Sequence, residues 1–423
     1  MSDPESLKQV LLEQQSEIAA LNHASLIQRE GFAEARGQME RSWIKVIIGI
    51  RRCGKSIFGH QLLAGTPYAY VNFDDERLIQ TQTEDLNLIL QTLLEIKPGV
   101  KTLFFDEIQN VPGWELFANR LHRQKYNLLI TGSNSKLLSK ELATHLTGRH
   151  VSLSLTPFSF SEFLKVKNCL SKEEDFFKTE KKAEFSRLFD EYISFGGFPE
   201  MAVDGFDAHY LRDLYDKIIT RDITDRYKIK YVKTLKELAL YSFSNLGNRI
   251  TYHKLKNTFE LNSVHTVKNY MQYLEDAYLI RLVQNFSFKV KEQVRQPRKL
   301  YTLDNGMARS MSPKFTADRG AALENLVFQE LNRRGGDLFF WSTPETEVDF
   351  VVKSGLNVSA LIQVCESLAD IDTRKREMKG LIKASEATGC TQLNILTRAE
   401  SGEEKIGRLK IKIQPVWQWL LTH

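Results

Sequence analysis

The stretch Ile44-Lys45-Val46-Ile47-Ile48-Gly49-Ile50-Arg51-Arg52-Cys53-Gly54-Lys55-Ser56-Ile57 decides how this chain is read. Ile44 to Ile48 make a short buried-strand pattern, and Gly49 to Ser56 fill G-x-x-x-x-G-K-[ST] at every fixed position. Gly49 and Gly54 permit a loop whose backbone N–H groups, including those of Arg51, Arg52 and Cys53, point inward at the α- and β-phosphates of a nucleotide. Lys55 supplies a point charge to the β- and γ-phosphates, and the Ser56 hydroxyl ligates Mg2+. Ile57 continues into a helix whose positive N-terminus faces the same anion. The chain has no N-K-x-D motif for guanine, so the expected ligand is Mg-ATP.

Further along, Leu103-Phe-Phe-Asp106-Glu107 puts two carboxylates at the C-terminal end of an apolar strand, where open α/β sheets bind ligands. Asp106 is then expected in the Mg2+ shell, and Glu107 as the general base on the attacking water. Leu128 to Ser135 ends another strand in a polar cluster, with Ser133 or Asn134 as candidate γ-phosphate sensor. Arg149 follows as a candidate finger, acting in its own site or a neighbour's. Strand patterns also occur at Tyr68–Phe73 and Asn127–Ile130, and an amphipathic helix pattern at Asp85–Glu95. This alternation predicts a parallel α/β sheet covered on both faces. Residues 5–40 read as helix, and the charged stretch Ser171–Glu184 as an exposed insertion or linker.

These motifs, with Tyr70–Leu78 (Y-V-N-F-D-D-E-R-L), Gly148–Phe163, Gly196-Gly-Phe-Pro-Glu200, Tyr301–Gly306, Glu324–Leu331 and Glu347–Val352, resemble the prokaryotic AAA-type ATPases with a C-terminal DUF4143 domain. The resemblance reaches to about residue 365. It implies an AAA+/STAND-like P-loop NTPase core, a helical and winged-helix segment, and a restriction-endonuclease-like α/β C-terminal fold. The expected division is a helical segment over 1–40, the ATPase domain over 41–165, a lid or linker over 166–233, a winged helix over 234–303 and the C-terminal domain over 304–423.

The 423 residues carry a net charge of only +5, but from Arg226 to Lys299 fifteen Lys/Arg face five Asp/Glu. Such a local excess suits a polyanion such as duplex DNA, or a solvated face. Within it Ser263 is a candidate N-cap for a helix from Val264 to about Asp276, and Lys289–Lys299 reads as a basic hairpin. If this unit binds DNA, Asn269 and Gln272 are candidate base readers, and Lys268, Arg295 and Arg298 candidate phosphate contacts. Winged helices also serve as lids or protein-binding modules, so a protein partner or self-association stays open.

In the C-terminal part Glu324 and Asp349 stand where a PD-(D/E)-x-K nuclease carries acids, but the second half of that motif reads Gln363-Val-Cys365. Gln is a weak metal ligand and Cys cannot replace a lysine's charge, so a folded, degenerate site is expected. Four scattered cysteines without a C-x-x-C pair fit a reducing cytoplasm, and no apolar run is long enough for a membrane span.

Overall fold

The computed structural model describes residues 4–21, 26–133, 150–169 and 173–422, and the chain divides into two compact units, Met1–Thr156 and Pro157–His423. In the first unit β1 (Ile44–Ile48), β2 (Tyr68–Asn72), β3 (Thr102–Asp106), β4 (Asn127–Gly132) and β5 (His150–Ser154) form one parallel sheet in the order β2-β3-β4-β1-β5. Helices α1 (Pro4–Leu21), α2 (Phe32–Gln38), α3 (Lys55–Leu62), α4 (Leu86–Ile96) and α5 (Trp114–Arg123) accompany it.

The core explains why these segments are strands. Ile44 and Val46 of β1 join Ala69, Val71, Leu103, Phe105, Leu128 and Ile130 in one buried cluster with Leu7 and Leu11 of α1 and Leu86, Ile89 and Leu93 of α4. Each such side chain contributes about 1.5–3 kcal/mol of burial. Lys45 is the exception inside β1. Its Nζ donates to Arg41 O and Asn127 Oδ1, both at 2.5 Å, and burial pulls its pKa down to about 8. Because β1 adjoins β4 and β4 adjoins β3, the carboxyl ends of these three strands lie side by side.

The single helix expected over residues 5–40 is instead α1 and α2 with non-helical chain before Gly31, which has φ +72°. The reason is tertiary. α1 packs over the sheet edge, where Gln14 accepts from Asn72 N at 2.9 Å and donates to Asn72 O at 3.1 Å. One side-chain amide thereby satisfies both backbone groups that an edge strand leaves open.

The second unit holds a nine-stranded mixed sheet in the order β13-β14-β12-β11-β10-β9-β7-β8-β6. Its strands are β6 (Arg249–Ile250), β7 (Arg281–Asn285), β8 (Arg298–Tyr301), β9 (Asp337–Ser342), β10 (Glu347–Ser354), β11 (Asn357–Val364), β12 (Leu393–Thr397), β13 (Gly402–Ile406) and β14 (Leu409–Pro415). β7 pairs in parallel with β9, so strands of the basic segment continue into the C-terminal sheet. The helix Val264–Asp276 starts at Ser263, whose side chain accepts from His265 N. The basic hairpin expected over Lys289–Lys299 is instead mostly a helical turn, Val290–Arg295, in the connection between the paired strands β7 and β8.

Of the stretch expected as an exposed insertion or linker, Glu174, Lys178, Glu180 and Lys182 are exposed, while Asp175 and Phe176 are buried. Phe185, in the helix Thr179–Phe195, stacks on Trp417 with centroids 5.6 Å apart, and Phe176 meets the same ring edge-on. Apolar residues at helical spacing (Phe185, Leu188, Phe189, Tyr192) anchor what the charged composition disguised. Beyond it Gly196 has φ +80°, and a Cβ there would lie 2.3 Å from Asp304 Oδ1. Asp304 accepts from Gly197 N and Met307 N, and burial raises its pKa to about 7.

Candidate active site

The loop between β1 and α3 is shaped by close approach. A Cβ on Gly49 would lie 2.0 Å from Leu155 O, so only glycine lets β1 pass this point. Arg52 (φ +68°) and Gly54 (φ +94°) take left-handed backbone and curl the loop. Cys53 is buried, its Sγ donating to Leu155 O at 3.4 Å. Arg29 donates to Cys53 O at 2.8 Å and to Thr156 O at 2.6 Å, tying the loop to the chain after β5. Arg51 pairs with Asp74 at 2.9 Å, Arg52 is exposed, and Ile57 is half-buried in α3.

Lys55 is 4% exposed. Its Nζ donates to Ile50 O at 3.3 Å and lies 3.2 Å from Glu107 Oε1. Burial works to lower the Lys55 pKa and to raise that of Glu107. The ion pair overrides both, leaving the lysine above and the glutamate below its ordinary range. Glu107 itself has φ +51°, a left-handed conformation costing about 1–3 kcal/mol for such a residue. Its N–H donates to Thr131 Oγ1 at 2.9 Å, and its carboxylate also accepts from Gln109 Nε2 and from Ser133 N at 3.2 Å.

Asp106 is 1% exposed, and both its oxygens are held. Tyr70 Oη donates to Oδ2 at 2.9 Å, and Thr131 Oγ1 donates to Oδ1. Burial, then the Glu107 charge, pushes the Asp106 pKa up, while hydrogen bonds from Ser56, Thr131 and Tyr70 oppose the rise. Ser133 Oγ and Gln109 Oε1 are buried without a hydrogen-bond partner among the described residues, beside this carboxylate pair. Buried polar atoms without a partner are costly, and here they suit a polar ligand.

These groups fit a magnesium nucleotide. Ser56 and Asp106 would hold Mg2+, while Lys55 and the amides of Gly49–Ser56 would hold phosphates. Arg29, Tyr70, Gln109 and Thr131 complete the arrangement, Tyr70 and Thr131 from within quoted motifs that assigned them no role. Asn134 and Arg149 lie outside the described residues.

Elsewhere, Lys268 Nζ lies 5.6 Å and the Arg298 guanidinium 5.1 Å from the Tyr252 ring, so these two meet on one side chain. Asn269 contacts His265 at 3.2 Å, Gln272 donates to Asp276 at 3.0 Å, and Arg295 is exposed on the helical turn Val290–Arg295. In the C-terminal sheet Asp349 and Glu324 meet at Lys299, and Gln363 turns away, accepting from Asp349 N and donating to Glu377.

A five-stranded parallel sheet, a phosphate loop between its β1 and the following helix, and an acidic pair at the end of β3 define the P-loop NTPase class of nucleotide-binding folds. Residues 41–164 match the family model described as an AAA domain, and residues 186–318 and 319–419 match two domains of unknown function, DUF8612 and DUF4143. An uncharacterized protein of Methanocaldococcus jannaschii is 40% identical over 400 residues, covering 90% of this chain and 88% of that protein. An uncharacterized protein of Haemophilus influenzae is 31% identical over 369 residues, covering 82% and 90%. The chain belongs to this family of AAA-domain proteins with a C-terminal DUF4143 domain. Among solved structures, the Walker-type ATPase of Pyrococcus abyssi is similar at 14% identity and TM-score 0.41, over 68% of this chain and 96% of its own. AMPPCP-bound DnaA from Aquifex aeolicus is similar at 15% identity and TM-score 0.26, over 58% and 86%.

Proposed function

We propose that the protein binds Mg-ATP at Gly49–Ser56, hydrolyses it, and uses the cycle as a switch. The observation that carries this reading is the Lys55–Glu107 pair, 3.2 Å apart, beside an Asp106 whose two oxygens are fixed. The loop amides bind the α- and β-phosphates, and Lys55 the β- and γ-phosphates. Mg2+, held by Ser56 and Asp106, supplies charge neutralisation at the oxygens of the transferred group.

A phosphate that draws the Lys55 ammonium to its own oxygens releases Glu107. Gln109 and Ser133 N then keep the Glu107 carboxylate aimed. Glu107 takes a proton from water as the water oxygen bonds to the γ-phosphorus and the bond to the ADP oxygen breaks. Ser133 or Asn134 senses the γ-phosphate, and Arg149 stabilises developing charge in this site or a neighbour's. ATP binding biases the arrangement of the chain and hydrolysis resets it.

Phosphate release and nucleotide affinity test the reading together. Glu107→Gln should bind ATP but turn over at least a hundredfold more slowly, within the range expected for loss of a general base. Wild-type turnover in that variant removes Glu107 from the role. ATP binding without any phosphate release would leave a nucleotide-gated scaffold. A second reading, duplex DNA binding by the basic segment, is favoured by the exposure of Lys254, Lys268, Gln272, Lys291 and Arg295. The nuclease reading requires metal-dependent cutting that Asp349→Ala abolishes. No helix among the described residues is long and apolar enough to cross a membrane, and the proposed setting is the cytoplasm.

A further inference from the structure

Lys299, in β8, is 2% exposed, and three carboxylates surround its ammonium. Nζ lies 3.0 Å from Glu324 Oε1, 2.6 Å from Glu347 Oε1 and 2.8 Å from Asp349 Oδ1. The acids come from the helix Arg319–Arg334 and from β10, which does not adjoin β8 in the sheet. An ammonium carries three N–H donors and no acceptor, which matches three carboxylates.

The second oxygens of Asp349 and Glu347 are also engaged, and Glu324 Oε1 accepts a second bond. Tyr301 Oη donates to Glu324 Oε1 at 2.6 Å, Val364 N donates to Asp349 Oδ2 at 2.9 Å, and Arg249 Nε lies 3.3 Å from Glu347 Oε2.

The spacing separates two kinds of centre. Mg2+ holds its oxygens at about 2.0–2.1 Å, whereas the contacts to Nζ have hydrogen-bond lengths. The same three oxygens would have to close in by roughly half an ångström or more to ligate that ion. Among the described residues no group of three or more His, Cys, Asp or Glu is arranged to hold a metal ion.

We infer that the Lys299 ammonium is a built-in cation filling the centre of this cluster, so that the carboxylates persist without taking up a divalent ion. The neighbouring substitutions agree. Gln363 spends its amide on Asp349 N and Glu377 rather than on the cluster. Burial pushes the Cys365 thiol up to about 12, so it supplies no thiolate. Burial and the Asp349 charge raise Glu324 to about 7.

Mn2+ binding and thermal unfolding of the full chain, without nucleotide, test the inference. An Asp106→Asn background keeps the nucleotide site from contributing. In that background Mn2+ uptake should be unaffected by Asp349→Asn, and Mn2+ should leave the melting temperature unchanged. Lys299→Met should melt lower, acquire one Mn2+ per chain, recover melting temperature with Mn2+, and lose both gains when Asp349→Asn is added. If Lys299→Met does not fold, adding Glu324→Gln removes one carboxylate with the ammonium and should restore folding. Mn2+ uptake by the Lys299 form that depends on Asp349 overturns the inference. So does a folded Lys299→Met that gains no metal, or an unfolded one rescued by neither Mn2+ nor Glu324→Gln.

Discussion

Tyr70 donates its hydroxyl to Asp106 Oδ2 while Thr131 takes Oδ1, so the carboxylate proposed to hold the metal cannot rotate. A hydrogen bond to a charged group contributes about 1.5–3 kcal/mol net. Tyr70→Phe should therefore weaken the apparent Mg2+ affinity in turnover by roughly tenfold or more, so that more Mg2+ is needed, following that range. ATP affinity measured without Mg2+ should stay near wild type. An equal loss in both would mean that Tyr70 serves the fold rather than Asp106.

His60 lies behind it, accepting or donating at Tyr68 Oη at 2.9 Å and packed on Tyr70 and Phe104. Burial lowers its pKa to about 4, below the ordinary 6.5. The folded chain thus binds fewer protons at this site than the unfolded chain between those values. The stability this represents is present above about 6.5 and lost as pH falls through about 4, with a slope of at most about 1.4 kcal/mol per pH unit. Unfolding of the first unit followed from pH 7 to 5 should show that loss, and His60→Gln should flatten it.

At the scale of elements, the phosphate loop was legible because its residues are contiguous and each fixed one has a local reason. Gly49→Ala tests the least obvious of these. Its Cβ would meet Leu155 O at 2.0 Å, so β1 or the chain after β5 must shift. Substitution there should cost roughly 1–3 kcal/mol as an overpacked contact and reduce nucleotide affinity together with stability. Normal melting with normal ATP affinity would contradict the close approach.

The partners of the site were less legible, since they depend on strand register. Tyr70 sits opposite Phe104 on neighbouring strands, which carries its hydroxyl to Asp106 two residues further on, and no spacing in the sequence encodes that pairing. Lys299 was hidden for the same reason, because β9 and β7 stand between β10 and β8. The Phe185–Trp417 stack joins residues more than two hundred positions apart, so the helical spacing of Phe185, Leu188 and Phe189 carries a buried face but not the identity of its partner.

For the whole molecule, what the basic segment meets decides what the ATP cycle is for. Lys254, Lys268, Lys291 and Arg295 are exposed, and Phe288, Val290 and Val294 are exposed among them at 72%, 70% and 61%. A phosphate backbone would use the cations and make the association depend steeply on salt, whereas a protein surface would use the apolar residues and make it nearly salt-independent. If four cations meet phosphates, log affinity for duplex DNA should fall with log salt at a slope of about −3 to −4. Lys268→Ala and Arg295→Ala should each make that slope shallower by about one. Binding on this face should also change ATP affinity, because a switch coupled to a ligand must respond to it reciprocally in affinity. Duplex DNA that alters ATP affinity in the wild type, but not in the double variant, assigns the segment to nucleic acid. Turnover and affinity indifferent to DNA at low salt, with association lost on Val290→Asp and Val294→Asp, assign it to a protein partner or a second copy of the chain, whose assembly mass with ATP distinguishes the two.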